Sequence, residues 1–270
     1  VLVGAGLAAG NGVFRTGALV ASLVGALAIQ VAANFANDVS DAARGADRAD
    51  RLGPPRMVAA GVISPRAMWR ATWAAIGVAT VAGAYLIGVA GWVVALIGLT
   101  SIVALLTYVG GPLPYGYRGL GEGAVFVFFG LVATVGARYV HDRAAPLDAW
   151  LLGVVMGLLA AAILVANNLR DLDSDASAGK RTLAVMLGRP RTRVLYATLV
   201  YGAFVVVTAA AAFRLIPAPA VLAAVLAPFA TPLVRTAFAT TAGPPLIGVL
   251  KGTARLQLLV GVMLAVGAAV

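Results

Sequence analysis

The chain has 270 residues, 61% hydrophobic and 11% charged, with a formal net charge of +10. A mean hydropathy of +0.97 excludes a water-soluble domain and points to a polytopic membrane protein, built of helices because lipid offers backbone groups no partner. The absence of cysteine and the single histidine, His141, exclude disulfides, thiol nucleophiles, iron–sulfur clusters and zinc sites of the usual kinds, and the alternation of a β-barrel is missing.

In chain order, residues 1–14 form an apolar stub too short to span, without the basic start or cleavage site of a signal peptide. It is expected to be a first helix whose start is missing. Complete spans of about 20 residues are predicted over 16–36, 66–88, 91–109, 122–140, 148–168, 193–213, 216–236 and 250–270, with a turn near Gly88–Gly91. The segment GGPLPYGYRGLGE after the fourth helix is too rich in Gly and Pro to be helical and is a candidate lid, with 42–65 a second. His141 is read as an exposed loop residue beside Asp142 and Arg143. The 32 glycines suit close helix packing. The expected fold is an all-α polytopic membrane protein, a nine-helix bundle with its first helix cut short. One transmembrane domain covers 1–270, in two pseudo-repeated halves of about 1–121 and 122–270.

With the stub as helix 1, all but Arg15, Arg138, Arg143 and Arg214 of the 20 Lys and Arg fall on one side, which the positive-inside bias assigns to the cytoplasm of a cell membrane. This also accounts for the basic charge without nucleic acid. All but Asp142 and Asp148 of the 10 acids share that side. Orientation does not explain them, since acids contribute little to it.

The acids form two similar clusters. Helix 2 ends NFANDVSDAARGAD and helix 6 ends NNLRDLDSDASAGK. Asn37-x3-Asp41 matches Asn167-x3-Asp171, Asp175 extends the second series, and Asn34-x3-Asp38 adds a copy to the first. Residues four apart share a helix face, so each cluster aims an amide and a carboxylate in one direction. Hard oxygen ligands of this kind suit Mg²⁺, which binds through one or two carboxylates plus substrate phosphates. Arg56, Arg170, Lys180 and Arg181 are candidates for the phosphate oxygens. Acids at a helix C-terminus oppose its dipole, so a purely structural role would be poorly placed. Asp173 points off the shared face, and Asp50 reads as a solvated loop acid.

These motifs resemble the UbiA superfamily of intramembrane aromatic prenyltransferases, on NDVSDAARGADRADRLGPPRMVAAGVISP (37–65), TYVGGPLPYGYRGLGEGAVFVFFGLVATVGARYV (107–140) and LVANNLRDLDSDASAGKRTLAVMLG (164–188). Within it, the chain is similar to the branch that uses 1,4-dihydroxy-2-naphthoate. The resemblance implies an enzyme of menaquinone biosynthesis that moves a polyprenyl group from polyprenyl diphosphate to dihydroxynaphthoate with loss of CO₂. It implies Mg²⁺ held by Asn37, Asp41, Asp47, Asn167, Asp171 and Asp175, with Asp41, Asp171 and Asp175 catalytic and Asp41 or Asp171 as alternatives for a base. Gly45 stands where relatives with benzoate acceptors often carry a third acid, and Asp47 is the substitute. Tyr108, Tyr115 and Tyr117 are candidate faces for an allylic cation, or an interfacial aromatic belt. Arg118 is a candidate partner for the acceptor carboxylate, and Phe126, Phe128 and Phe129 are packing or tail contacts. A 4-hydroxybenzoate or homogentisate prenyltransferase is the nearest alternative. A transporter with midplane acids is a more distant one, disfavoured because the acids sit at helix ends.

Overall fold

The computed structural model describes residues 1–45, 56–111, 114–241 and 243–270. Nine helices are labelled here: α1 Leu2–Gly10, α2 Thr16–Ala43, α3 Pro65–Ala90, α4 Trp92–Tyr108, α5 Gly121–Asp142, α6 Leu147–Arg170, α7 Leu183–Ala212, α8 Ala218–Ala239 and α9 Gly243–Ala269. All but α1 and the 17-residue α4 are long and apolar enough to cross a membrane. A 3₁₀ turn, Tyr115–Arg118, and a short helix, Leu172–Ser177, lie in the connections.

Local chemistry sets most boundaries. Ser64 caps α3 by accepting from the Ala67 amide at 3.3 Å, with Pro65 in the first turn where its missing N–H costs nothing. Gly91, at φ 88°, makes the α3–α4 turn.

Several helices differ from expectation: α2 runs past the expected end at 36 to Ala43, and α4, at 17 residues, is shorter than the complete span expected over 91–109. α7 begins ten residues early and contains a break: Gly188 is non-helical (φ 72°, ψ 164°) and Pro190 follows. Glycine tolerates that positive φ and Pro190 fits the first turn of the helical stretch that follows, so the residues before the break set off at a different angle from the rest. α9 also begins early, at Gly243, because Pro244 and Pro245 fit a first turn, and its exposed Lys251 and Arg255 sit on the helix rather than before it. α8 opens with 3₁₀ geometry over Ala218–Leu226. α5 carries a π turn over Phe126–Val132, a distortion frequent at functional sites.

Small residues let the helices touch backbone to backbone. A Cβ on Gly4 would lie 2.3 Å from the Thr134 carbonyl oxygen, and one on Gly130 would lie 2.2 Å from the Gly157 Cα, so α1–α5 and α5–α6 approach at distances only glycine allows. The main core joins α1, α5, α6, α7, α8 and α9. Helices α2 to α4 hold only two small clusters, Ala18/Leu86/Ala90/Val94/Val140 and Ala32/Ala36/Ile76/Leu105. The most apolar window of α6 is 61% buried against 11% for α2, which makes α6 the central helix.

At the end of the bundle away from the two acidic clusters, His141 is 1% exposed, contrary to the expected exposed loop. α5 runs on to Asp142 and tucks His141 under the α1–α2 turn, where Nδ1 accepts from the Arg15 amide at 2.9 Å and the ring stacks on Phe14. Beside it, Arg138 pairs with Asp142.

Candidate functional site

The C-terminal ends of α2, α4 and α6 meet at one end of the bundle. Asp41, in the last turn of α2, is 4% exposed. It accepts a hydrogen bond from the Tyr117 hydroxyl and lies 3.4 Å from both Arg56 Nη2 and Lys180 Nζ. Lys180 Nζ also lies 3.7 Å from Asp175 Oδ1. One ammonium therefore bridges the two acidic clusters, and the half-sites expected from sequence are brought face to face.

The second cluster is neutralised from within. Arg170 sends Nε (2.6 Å) and Nη2 to the two oxygens of Asp171, and Nη2 also donates to Asn167 Oδ1 at 2.9 Å. Its side chain is 4% exposed, so it faces its own cluster rather than an open cleft. Asp175 sits in the short helix Leu172–Ser177, with its amide bonded to the Asp171 carbonyl at 2.8 Å. Burial pushes its carboxyl up to about 6; Lys180 opposes the shift, while Asp171 and Asp41 add to it by like-charge repulsion. Asp173 is 84% exposed and pairs with Arg189 at 2.8 Å, outside the cluster.

Asn37 Oδ1 is buried without a hydrogen-bond partner. An orphaned acceptor one turn before Asp41 fits a cation or donor that binds there. Among the described residues no three acidic or histidine side chains converge into an all-protein metal cage. The donors present are the hard oxygens of Asn37, Asp41, Asp171 and Asp175, a set that fits Mg²⁺ completed by water and phosphate. Asn167 Oδ1 already serves Arg170. Asp47 lies outside the described residues.

The tyrosines divide by role. Tyr117 has Lys180 Nζ 4.9 Å and the Arg44 guanidinium 5.7 Å from its ring centre. Tyr108 and Tyr115 pack edge to face at 5.3 Å, and the Tyr115 hydroxyl donates to the Ala104 carbonyl at 2.9 Å, pinning the turn onto α4. Burial pushes the Tyr115 hydroxyl up to about 12. Arg118 and Arg181 are exposed.

Three contacts at this end depart from the sequence pattern. Asp38 is not a second ligand copy: its carboxylate accepts from the Met57 and Val58 amides at 3.0 and 3.1 Å and anchors the returning loop. Glu122, 7% exposed, accepts from Asn168 Nδ2 at 2.9 Å, and Asn168 in turn meets Asn167 at 3.5 Å. Glu122 thus supports the second cluster through the Asn pair. An acid in the first turn of an otherwise apolar helix was the available signal for it.

Comparison with known proteins agrees with this geometry. The family model for the UbiA prenyltransferase family matches residues 1–245. A 1,4-dihydroxy-2-naphthoate octaprenyltransferase of Mycobacterium leprae is 44% identical over 66% of this chain, which spans 60% of that relative's length. The Escherichia coli protein of the same name is 38% identical over 76% of this chain and 68% of the relative. A solved structure from a study of digeranylgeranylglyceryl phosphate synthase in membranes shares the fold, with a TM-score of 0.56 at 14% identity over 93% of both chains. With that match running through both acidic clusters, the chain belongs to the UbiA prenyltransferase family.

Proposed function

We propose that this protein transfers a polyprenyl group from polyprenyl diphosphate to 1,4-dihydroxy-2-naphthoate with decarboxylation, giving demethylmenaquinol. The observation that carries this reading is Lys180 spanning Asp41 and Asp175, which joins two metal-type half-sites around one small volume. The names of the relatives support the acceptor. The two pseudo-halves, about 1–121 and 122–270, each contribute one half-site. The cationic loops support a mouth on the cytoplasmic side of the cell membrane, with the prenyl tail in the bilayer.

Asn37, Asp41, Asp171 and Asp175 would hold Mg²⁺, with Asn167 behind them. When bound, Mg²⁺ supplies positive charge to the departing diphosphate. Lys180 and Arg56, each 3.4 Å from Asp41, would hold phosphate oxygens and stabilise charge developing on the leaving group. The bond between the allylic carbon and the diphosphate oxygen breaks, and the electron pair leaves with the diphosphate. The ring carbon of dihydroxynaphthoate that bears the carboxylate forms the new carbon–carbon bond, and CO₂ departs from that carbon to restore aromaticity. Tyr108 and Tyr115 would offer ring faces to the allylic cation. Arg170 holds Asp171 in place.

The test uses the purified full chain with polyprenyl diphosphate and, in turn, dihydroxynaphthoate, 4-hydroxybenzoate and homogentisate. Mg²⁺-dependent diphosphate release with dihydroxynaphthoate, lost in Asp171→Ala, is expected. No release with any acceptor sinks the transferase reading, and release with only another acceptor moves the protein to a different branch.

A further inference from the structure

The last acid of the chain is Asp175, and residues 176–270 carry nine Lys and Arg against no Asp or Glu. Lys180 and Arg189 reach back to Asp41, Asp175 and Asp173. Arg191, Arg193, Arg235, Lys251 and Arg255 do not: among the described residues none of them pairs with an acid. They lie on α7, α8 and α9.

Packing brings three of these cations to one level. Arg193 Nη2 donates to the Thr240 carbonyl at 2.6 Å and ties the early part of α7 to the α8–α9 turn. One turn further on, the Tyr196 and Thr253 hydroxyls bond at 2.7 Å between α7 and α9. A Cβ on Gly252 would lie 2.4 Å from Leu233 Cδ2, so α8 and α9 touch at the same level. Arg235 stands just after Leu233 and Lys251 directly before Gly252, so each of the three helices delivers a cation there. Arg235, Lys251 and Arg255 are exposed. Arg193 Nε is buried without an acceptor, an unmet donor that fits the oxygen of an anion.

Sidedness does not ask for this arrangement. Cations in the connections satisfy it, whereas Lys251 and Arg255 stand on the body of the spanning helix α9, Arg255 about three turns beyond Gly243. The two are four apart on one face, where like charges repel and weaken a helix. An anion lying against both removes that penalty. Further along the same face come the exposed side chains of Leu258, Leu259 and Val262. Cations followed by an apolar strip match the order of headgroup and acyl chains in a phospholipid. A soluble anion has no use for the strip, and a metal-borne diphosphate lacks carboxylates here. We propose that this face of α7, α8 and α9 binds an anionic phospholipid, with its phosphate among Arg193, Arg235, Lys251 and Arg255 and its acyl chains along α9.

The experiment titrates the purified full chain in detergent with dioleoylphosphatidylglycerol or dioleoylphosphatidylcholine and counts retained lipid by native mass spectrometry. Wild type is expected to retain phosphatidylglycerol at about a tenth or less of the concentration needed for phosphatidylcholine. Arg235→Gln/Lys251→Gln weakens phosphatidylglycerol retention about tenfold, the scale of losing two basic contacts to an anionic headgroup, and leaves phosphatidylcholine unchanged. Arg66→Gln/Arg70→Gln removes two exposed cations at the start of α3 and retains phosphatidylglycerol as wild type does. Arg255→Gln repeats the measurement should the first double variant not fold. Equal retention of the two lipids by wild type overturns the proposal. Equal losses from the two double variants overturn it too, because they reduce the surface to diffuse positive charge. So does displacement of the lipid by free pyrophosphate at equal concentration, which makes the surface a site for a soluble anion.

Discussion

At the end of α2, Asp41 is held by Tyr117 and Lys180, residues 76 and 139 positions away, and by Arg56 across the returning loop. At the end of α6, Asp171 is covered by the guanidinium of the residue just before it. Both carboxylates are buried, and a buried carboxylate must be neutralised by something. The first recruits partners by tertiary folding, whereas the second carries its partner in sequence. The α2 half-site is therefore complete only once the α4–α5 turn and the α6–α7 connection have docked, while the α6 half-site exists as soon as its helix does. The surrounding cores run the same way, since α6 is the central helix and α2 lies in a sparsely packed half.

The largest expected effect removes the acids themselves. Asp41→Asn and Asp171→Asn should each lower the rate of diphosphate release by about 10²–10³-fold, the scale of losing one electrostatic stabiliser, as read by single-turnover kinetics. A loss confined to one of them would show that the half-sites are not equal partners. Next, Arg170→Met leaves Asp171 buried and uncompensated and should cost about 3–5 kcal/mol of stability, measured by thermal unfolding in detergent. Arg56→Met should cost no more than about 1 kcal/mol, because Arg56 is partly exposed and Asp41 retains Tyr117 and Lys180. Equal losses from the two would remove the contrast between locally and globally built half-sites.

Asp175 supplies a pH test. Its carboxyl is raised to about 6 in the folded protein, above the unfolded value of about 3.9. The associated stability is fully present below pH 4 and is lost as pH rises through 6. Mg²⁺ competes with that proton, so its affinity should fall roughly tenfold from pH 7 to pH 5. Mg²⁺-induced thermal stabilisation measured at both values checks this, and Asp175→Asn should flatten the difference. The smallest effect belongs to Arg189→Ala. Its pair with the exposed Asp173 should contribute less than about 1 kcal/mol and leave diphosphate release at the wild-type rate.

Much of the site was legible because its first rule is local. The Asn-x3-Asp spacing places Asn37 with Asp41 and Asn167 with Asp171 on one helix face without reference to the rest of the chain. The tertiary partners were not legible in the same way. Arg170 reads in the sequence as a phosphate-binding cation, but its length and fork geometry let it fold back onto its neighbour. Asp38 looked like a repeat of Asp41, yet one residue apart on a helix is about a hundred degrees of rotation, and it meets loop amides instead. The link from Glu122 to Asn168 joins positions 46 residues apart, beyond any periodic pattern.

The sequence by itself determined the membrane-spanning helices, the one-sided gathering of acids and cations, and the register of each acidic series. Hydropathy and helical period act over a few turns, and both are readable in a single strand of text. Only the tertiary structure decided which cation meets which acid, that the Tyr117 hydroxyl reaches Asp41, that α7 breaks at Gly188, and that His141 is buried. Those outcomes depend on which helix ends come together once small residues let the helices approach, and that choice belongs to the packing of the whole bundle.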